Sequence, residues 1–253
     1  MKTILVTGAT DGIGLETARA LVAAGHHVLV HGRNPKKLRD VETELKVESF
    51  VCDLSRPRDV EAFADAVAAK HSLDVLINNA GVFQTSNART PDGLDARFAV
   101  NALAPVILAR RLPARRVVSL SSAAQAPVDL EALAGRKHLG AFDAYAQSKL
   151  ALTMWNRFAA EKHPDTVFVA VNPGSMLGTK MVKEAYGVPG GDLRIGADIL
   201  VRAALDDEFA NASGQYYDND ARRFSKPHPH ALDPRKVAAL VQAMDAIISD
   251  ATS

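Results

Sequence analysis

The sequence predicts a doubly wound α/β fold: a single domain built on a parallel sheet with helices on both faces. Three observations predict it. Short apolar runs of strand length alternate with longer amphipathic stretches along the chain. The runs are apolar almost throughout, as strands covered on both faces require. The first run passes directly into a glycine-rich turn and then into a helix.

Taken in order, the strand-like runs are 4–6, 27–30, 47–51, 75–77, 117–120 and 167–171. Helical stretches separate them at 13–24, 35–44, 57–70, 91–109 and 144–162. Right-handed crossovers between parallel strands place a ligand at the carboxyl ends of the strands. Residues 192–209 and 234–249 read as two further helices, and a short strand near 214–217 closes the sheet edge. The Phe224-Ser-Lys-Pro-His-Pro-His230 segment reads as a Pro-rich surface loop, because no Cys or carboxylate completes a metal set with its two histidines.

The 253 residues suit one domain spanning 1–253, with enough chain to bury a large core. A net charge of +1 gives no argument for nucleic acid or an anionic membrane surface. Cys52 is the only cysteine, which excludes an intrachain disulfide and suits a reducing compartment. It lies in the apolar run 49–52 and reads as a core residue rather than a nucleophile. No apolar stretch is long enough to cross a bilayer, and a first strand beginning at residue 2 leaves no room for a signal peptide. The expectation is a cytoplasmic protein with no nucleic-acid partner and no membrane anchor.

Two motifs carry chemistry. Lys2-Thr-Ile-Leu-Val6 runs into Thr7-Gly-Ala-Thr-Asp-Gly-Ile-Gly14 and then an amphipathic helix. Gly8 and Gly12 let the backbone approach a pyrophosphate, and the helix start offers free N–H groups and a positive dipole end. A dinucleotide site is favoured over an ordinary loop by this strand–turn–helix order. Further on, Tyr145 and Lys149 stand four apart on one helix face. A phenol titrates near ~10, too high for neutral-pH proton transfer, and a neighbouring ammonium favours the phenolate. Taken alone, the pair could equally be packing plus a solvated charge.

Thr7 to Gly14, Asn78-Asn-Ala-Gly81, Asn101, Ser121-Ser122, Tyr145 to Lys149 and Pro173-Gly174 occur in that order. In this the chain resembles the short-chain dehydrogenases/reductases over about residues 2–250. The long interval from Ser122 to Tyr145 and the Ser213-Gly-Gln-Tyr-Tyr217 segment resemble the retinol-dehydrogenase-like branch. The resemblance implies a Rossmann-like fold and an NAD(P)-dependent oxidoreductase interconverting a carbonyl and an alcohol. It implies that Tyr145 exchanges the proton, that Lys149 lowers its pKa and bonds the nicotinamide ribose, and that Ser122 holds the carbonyl oxygen. Ser121 is the near alternative to Ser122. Asn101, by the same resemblance, kinks a helix with help from Pro105 and holds a water linked to Lys149.

Cofactor contacts are implied at Gly8, Thr10, Asp11, Gly12, Ile13, Gly14, Arg33, Asn34, Asp53, Leu54, Asn79, Ala80 and Gly81. Tyr145, Lys149, Pro173, Gly174, Met176 and Thr179 complete that set, and no metal is implied. Asp53 reads equally as a turn or N-cap residue before the Pro57 helix, and Asn78 as a structural amide locking neighbouring loops. Relatives carry a Thr five positions after the Pro of Pro173-Gly174; here Gly178 stands there and Thr179 follows. NAD-preferring relatives carry Asp where this chain has Gly32, and Arg33 follows, able to clasp a 2′-phosphate. NADP(H) is therefore expected over NAD(H), with Asp11 counting against it.

Phe83, Gln84, Met176, Met181 and Tyr186 are candidate walls of a pocket for a small hydrophobic carbonyl or alcohol. Residues 178–192, bracketed by Gly178, Gly187, Gly190 and Gly191, read as a substrate lid or else a plain surface helix. Leu150, Leu152, Met154, Trp155 and Phe158 spread over more than one helix face, which predicts a homodimer or homotetramer. Two other functions stay open: a catalytically silent NAD(P)-binding sensor or scaffold, and a dehydratase using the same site.

Overall fold

A computed structural model describes residues 1–252, apart from the side chain of Tyr186. Eight strands form one sheet in the order β3-β2-β1-β4-β5-β6-β7-β8. They are β1 (Thr3–Val6), β2 (His27–Gly32), β3 (Glu48–Val51), β4 (Val75–Asn78), β5 (Arg116–Leu120), β6 (Val167–Asn172), β7 (Tyr216–Asp218) and β8 (Arg223–Ser225). All pairings are parallel except β8 on β7. The chain winds outward from β1 to β3 and then returns to the other side of β1 as β4. That reversal opens a crevice at the carboxyl ends of β1 and β4.

Alternate strand residues feed two cores. Ile4, Val6, Ile77 and Val118 pack under α1 (Gly12–Ala23), α2 (Pro35–Leu45) and α9 (Leu193–Leu205). Leu5, Leu76 and Val117 pack on the opposite face under α3 (Pro57–Ala68), α5 (Ala104–Arg111), α7 (Ala141–Lys162) and α10 (Pro234–Thr252). Truncating a fully buried side chain such as Leu76 or Leu103 to alanine should cost about 2–5 kcal/mol.

The helix expected over 91–109 is broken into parts. Gly93 donates its N–H to Thr90 O at 2.9 Å, so Pro91 to Gly93 form a turn instead. Asp95 then caps α4 (Ala96–Phe98) by accepting from Arg97 N at 2.8 Å. A π-helical turn, Ala99–Leu103, joins α4 to α5. Between β5 and α7 lies α6 (Leu130–Leu133), and between β6 and α9 lies α8 (Lys180–Tyr186). The late strand does not close the sheet: β8 does, so Phe224 and Ser225 lie in a strand rather than in the expected loop. The Phe224 ring fixes that edge by packing 5.2 Å from Phe209 and 5.1 Å from Tyr217. Pro229–Leu232 forms a 3₁₀ turn.

The apolar surplus of α7 is covered within the chain. Met154 and Trp155 share one core with Leu240, Val241, Met244 and Ile248 of α10. Leu150, Leu152, Met154 and Trp155 are thus buried within the chain, while Phe158 is partly buried.

Candidate active site

A cavity of about 480 Å³ runs along the carboxyl ends of the strands, from Arg33 at one end to Tyr145 and Phe142 at the other. Its floor is the turn after β1. Gly8 takes φ 66°, and a Cβ there would lie 2.8 Å from the Ala80 Cα, so only glycine allows this approach. Asn79 holds the two strand ends together, donating from Nδ2 to Thr7 O at 2.8 Å and to Gly8 O at 3.1 Å. Loop locking thus belongs to Asn79, not to Asn78 as expected. Both amide atoms of Asn78 are buried without a hydrogen-bond partner among the described residues.

His31 was not singled out from the sequence, yet it ties this floor to its neighbours. Gly8 N donates to its Nδ1 at 3.2 Å and Ala9 N donates to its carbonyl at 2.9 Å. With Nδ1 accepting, Nε2 carries the proton and faces Cys52 O at 3.1 Å. Burial pushes the His31 imidazolium down to about 4, so the ring is neutral at pH 7. Cys52 borders the cavity as a buried thiol, pushed up to about 12 chiefly by burial, which leaves no thiolate for nucleophilic chemistry.

At the same end, Thr10, Arg33, Asp53 and Leu54 line the cavity. A Cβ at Gly32 would run into the Thr10 methyl, so a side chain at this position would have to displace Thr10. Arg33 forms no ion pair with any described residue. Asp11 caps α1 through Gly12 N at 2.8 Å and pairs with Lys37 at 2.9 Å. Its carboxyl is held below the usual range by that Lys37 bond above all. Lys37, unremarked in the sequence, therefore neutralises the charge that counted against a phosphate. Asn34 does not line the cavity; its Oδ1 caps α2 by accepting from Lys36 N and Lys37 N. Asp53 forms a turn, accepting from Ser55 N at 3.1 Å, and the residue capping α3 is Arg56.

At the other end, α7 presents Tyr145 half-buried on the cavity and Lys149 beneath it, 5.7 Å from ammonium to phenol ring centroid. Lys149 Nζ donates to Leu120 O at 2.7 Å, and burial lowers its pKa to about 8. The two serines separate clearly. Ser121 is 3% exposed, with Oγ 2.7 Å from Thr153 Oγ1, whereas Ser122 is half-buried. Ser122 Oγ accepts from Ala124 N at 3.1 Å, and its carbonyl accepts from Gln125 Nε2 and Tyr216 OH, each at 3.1 Å. Gln125 and Tyr216 are supports that no motif marked. Asn101 lies in the π-helical turn, which is the expected kink. Its Oδ1 accepts from Val82 N at 2.8 Å and its Nδ2 donates to Val82 O and Ser148 Oγ at 3.0 Å. A Cβ at Gly81 would lie 3.4 Å from both Asn101 Oδ1 and Lys149 Nζ, so the missing side chain leaves room between them.

The loop after β6 forms the roof. Pro173, Gly174, Met176 and Thr179 border the cavity, joined by Lys180, Met181 and Val182 of α8. Thr179 caps α8 through Val182 N at 3.2 Å, and its methyl lies 3.8 Å from a Cβ built at Gly12. The segment is pinched at its neck, where Gly178 N donates to Gly191 O at 2.7 Å and Gly191 N to Met176 O at 2.8 Å. Phe83 also borders the cavity, with its ring 5.0 Å from Tyr145, but Gln84 does not, and the Tyr186 side chain lies outside the described residues. Among the described residues no three His, Cys, Asp or Glu side chains gather as a metal site, and no helix is long and apolar enough to cross a membrane.

The arrangement joins a glycine turn and the Arg33 guanidinium to a phenol, a hydroxyl and a buried ammonium. Comparison with known proteins agrees with it. The short chain dehydrogenase family profile matches residues 2–187. A Streptomyces sp. (strain C5) protein provisionally named daunorubicin C-13 ketoreductase is 33% identical, over 98% of this chain and 93% of its own. Human retinol dehydrogenase 12 is 29% identical, over 89% of this chain and 80% of its own. A short chain dehydrogenase from Escherichia coli CFT073, solved with NADPH, superposes with a TM-score of 0.70 at 26% identity, covering 86% of this chain and 96% of that one.

Proposed function

Since the chain belongs to the short-chain dehydrogenase family, whose members are oxidoreductases acting on CH–OH and C=O groups, we propose that it is an NADP(H)-preferring member acting on a small hydrophobic carbonyl or alcohol. The observation that carries the reading is one cavity that joins Arg33 and the glycine turn to Ser122, Tyr145 and Lys149. The residues fit a dinucleotide: the turn at Gly8 admits a pyrophosphate, and the glycine at position 81 keeps the ground above Lys149 clear. When bound, NADP(H) supplies or accepts the hydride.

The chain's own part is to bind, orient and move one proton. Gly32, Arg33 and Lys37 support the choice of NADP(H): the first carries no acid, the second offers a free guanidinium, and the third cancels Asp11. Ser122 holds the substrate oxygen where charge develops, and Tyr145 gives its proton to that oxygen or takes it back. Lys149 stabilises the phenolate and offers the donors left over from Leu120 to a ribose hydroxyl. A water in the space at Gly81, within reach of Asn101 Oδ1 and Lys149 Nζ, would resupply the proton.

Phe83 packs on Tyr145 and Phe142 packs on Phe83, and Met176, Met181 and Val182 line the same cavity, which supports a hydrophobic substrate. The names of the relatives, a ketoreductase and a retinol dehydrogenase, support carbonyl–alcohol interconversion. Residues 178–192 act as a lid that moves as one body on the Gly178–Gly191 neck. The single buried thiol suits a reducing compartment, and we read the enzyme as cytoplasmic. The test is nicotinamide absorbance across a panel of hydrophobic aldehydes and ketones with both cofactors. Turnover with NADPH is expected, and tight binding without turnover on any carbonyl would return the silent sensor or scaffold.

A further inference from the structure

We propose that Asp220, on the turn joining β7 to β8, is a positioning residue that holds the 173–175 loop in place for the nicotinamide half of the dinucleotide. This rests on the cofactor reading above.

Asp218 at the end of β7 and Asn219 and Asp220 of the turn grip Asn172 at the end of β6 and Pro173 and Ser175 of the loop. Asn172 Nδ2 donates to Asp218 Oδ1 and to Asp220 Oδ2, both at 2.9 Å. Asn219 Nδ2 donates to Pro173 O at 2.9 Å. Ser175 donates twice to Asp220, from its backbone N at 2.9 Å and from Oγ at 2.6 Å. Asp220 N in turn donates to Asp218 Oδ1 at 3.1 Å, which shapes the turn itself. The loop needs such a hold. Met176 sits at φ 53°, a left-handed conformation that a residue with a side chain seldom adopts unless its surroundings hold it.

The chemistry requires a carboxylate. Three donors converge on the two Asp220 oxygens, and an ionised carboxyl only accepts. An asparagine would set an N–H against at least one of these donors. The clamp also explains two acidic side chains sharing one amide, which like-charge repulsion alone disfavours. Its target lies on the cavity wall: Pro173, Gly174 and Ser175 line the cavity and follow β6, which pairs with β5 of the Ser122 segment and lies across the sheet from β2, which precedes Arg33. The clamp therefore shapes the nicotinamide end and not the adenosine end.

The experiment measures binding of two ligands by titration calorimetry to wild type and to Asp220→Asn. One is NADP⁺; the other is adenosine 2′,5′-bisphosphate, which lacks the nicotinamide half. We expect Asp220→Asn to weaken NADP⁺ about tenfold while the bisphosphate binds as to wild type. Ser175→Ala, which keeps the backbone donor, should show the same selectivity at smaller size, and carries the test if Asp220→Asn does not fold. Equal loss of both ligands, or loss of neither, overturns the proposal. Failure of wild type to bind either ligand would overturn the cofactor reading and this proposal with it.

Discussion

Lys149 donates from Nζ to the carbonyl of Leu120 at 2.7 Å, tying the middle of α7 to the last residue of β5. No carboxylate pairs with it among the described residues, and burial lowers its pKa from 10.5 to about 8. The ammonium is thus held where it costs stability.

The sign of that cost is fixed. The unfolded chain keeps its proton up to about 10.5, whereas the folded chain gives it up near 8. The penalty is complete below pH 8 and fades as pH rises towards 10.5. Lys149→Met should therefore raise stability at pH 7 by roughly 1–2 kcal/mol, after loss of the Leu120 bond, and by less at pH 9.5. Thermal melts at the two pH values check this, and a destabilised variant at pH 7 would contradict it.

Arg33 and Lys37 should act differently on cofactor choice. Arg33→Ala removes a phosphate partner and should weaken NADP(H) about 10- to 100-fold with little effect on NAD(H). Lys37→Ala leaves Asp11 uncompensated and should weaken both, NADP(H) more. Tighter wild-type binding of NAD(H), measured by fluorescence titration, would refute the preference.

His31 predicts an acid-side loss of stability. Burial, the dominant cause, holds its folded pKa at about 4 against 6.5 unfolded. The contribution is whole above pH 6.5 and is lost as pH falls from there to about 4. Over that window wild type should lose about 1–3 kcal/mol more than His31→Asn, which cannot take up the proton. Urea unfolding at pH 7 and pH 4.5 measures the difference, and equal losses would remove His31 from the account.

Most of this fold was legible because its central strands, such as Thr3–Val6 and Val167–Asn172, are largely buried and read as mainly apolar runs. The late strand expected near 214–217 is β7, but β8 was not legible, because Arg223–Ser225 is a short, half-polar edge held by the Phe224 ring rather than by pattern. Pro91 misled as a helix start, since Gly93 closes a turn first. In the site, motif spacing marked Tyr145, Lys149 and Ser122. The residues that orient them, Gln125 and Tyr216 at the Ser122 carbonyl, come from segments without a motif. Asn34 and Asn78 show the converse: a residue beside a motif can cap a helix or lie buried without joining the site.

The lid should be visible by hydrogen exchange. Saturating NADP(H) and substrate should slow amides 179–191 more than any segment outside the glycine turn, from a baseline in which 178 and 191 already donate across the neck. Exchange unchanged by ligand would leave α8 a plain surface helix.

The account stands most directly on Tyr145. Tyr145→Phe keeps the ring against Phe83 and Lys149 but removes the hydroxyl. Turnover of any carbonyl accepted by wild type should fall at least about 10³-fold, while NADP(H) affinity stays within about twofold. Near-normal turnover in that variant would contradict the account.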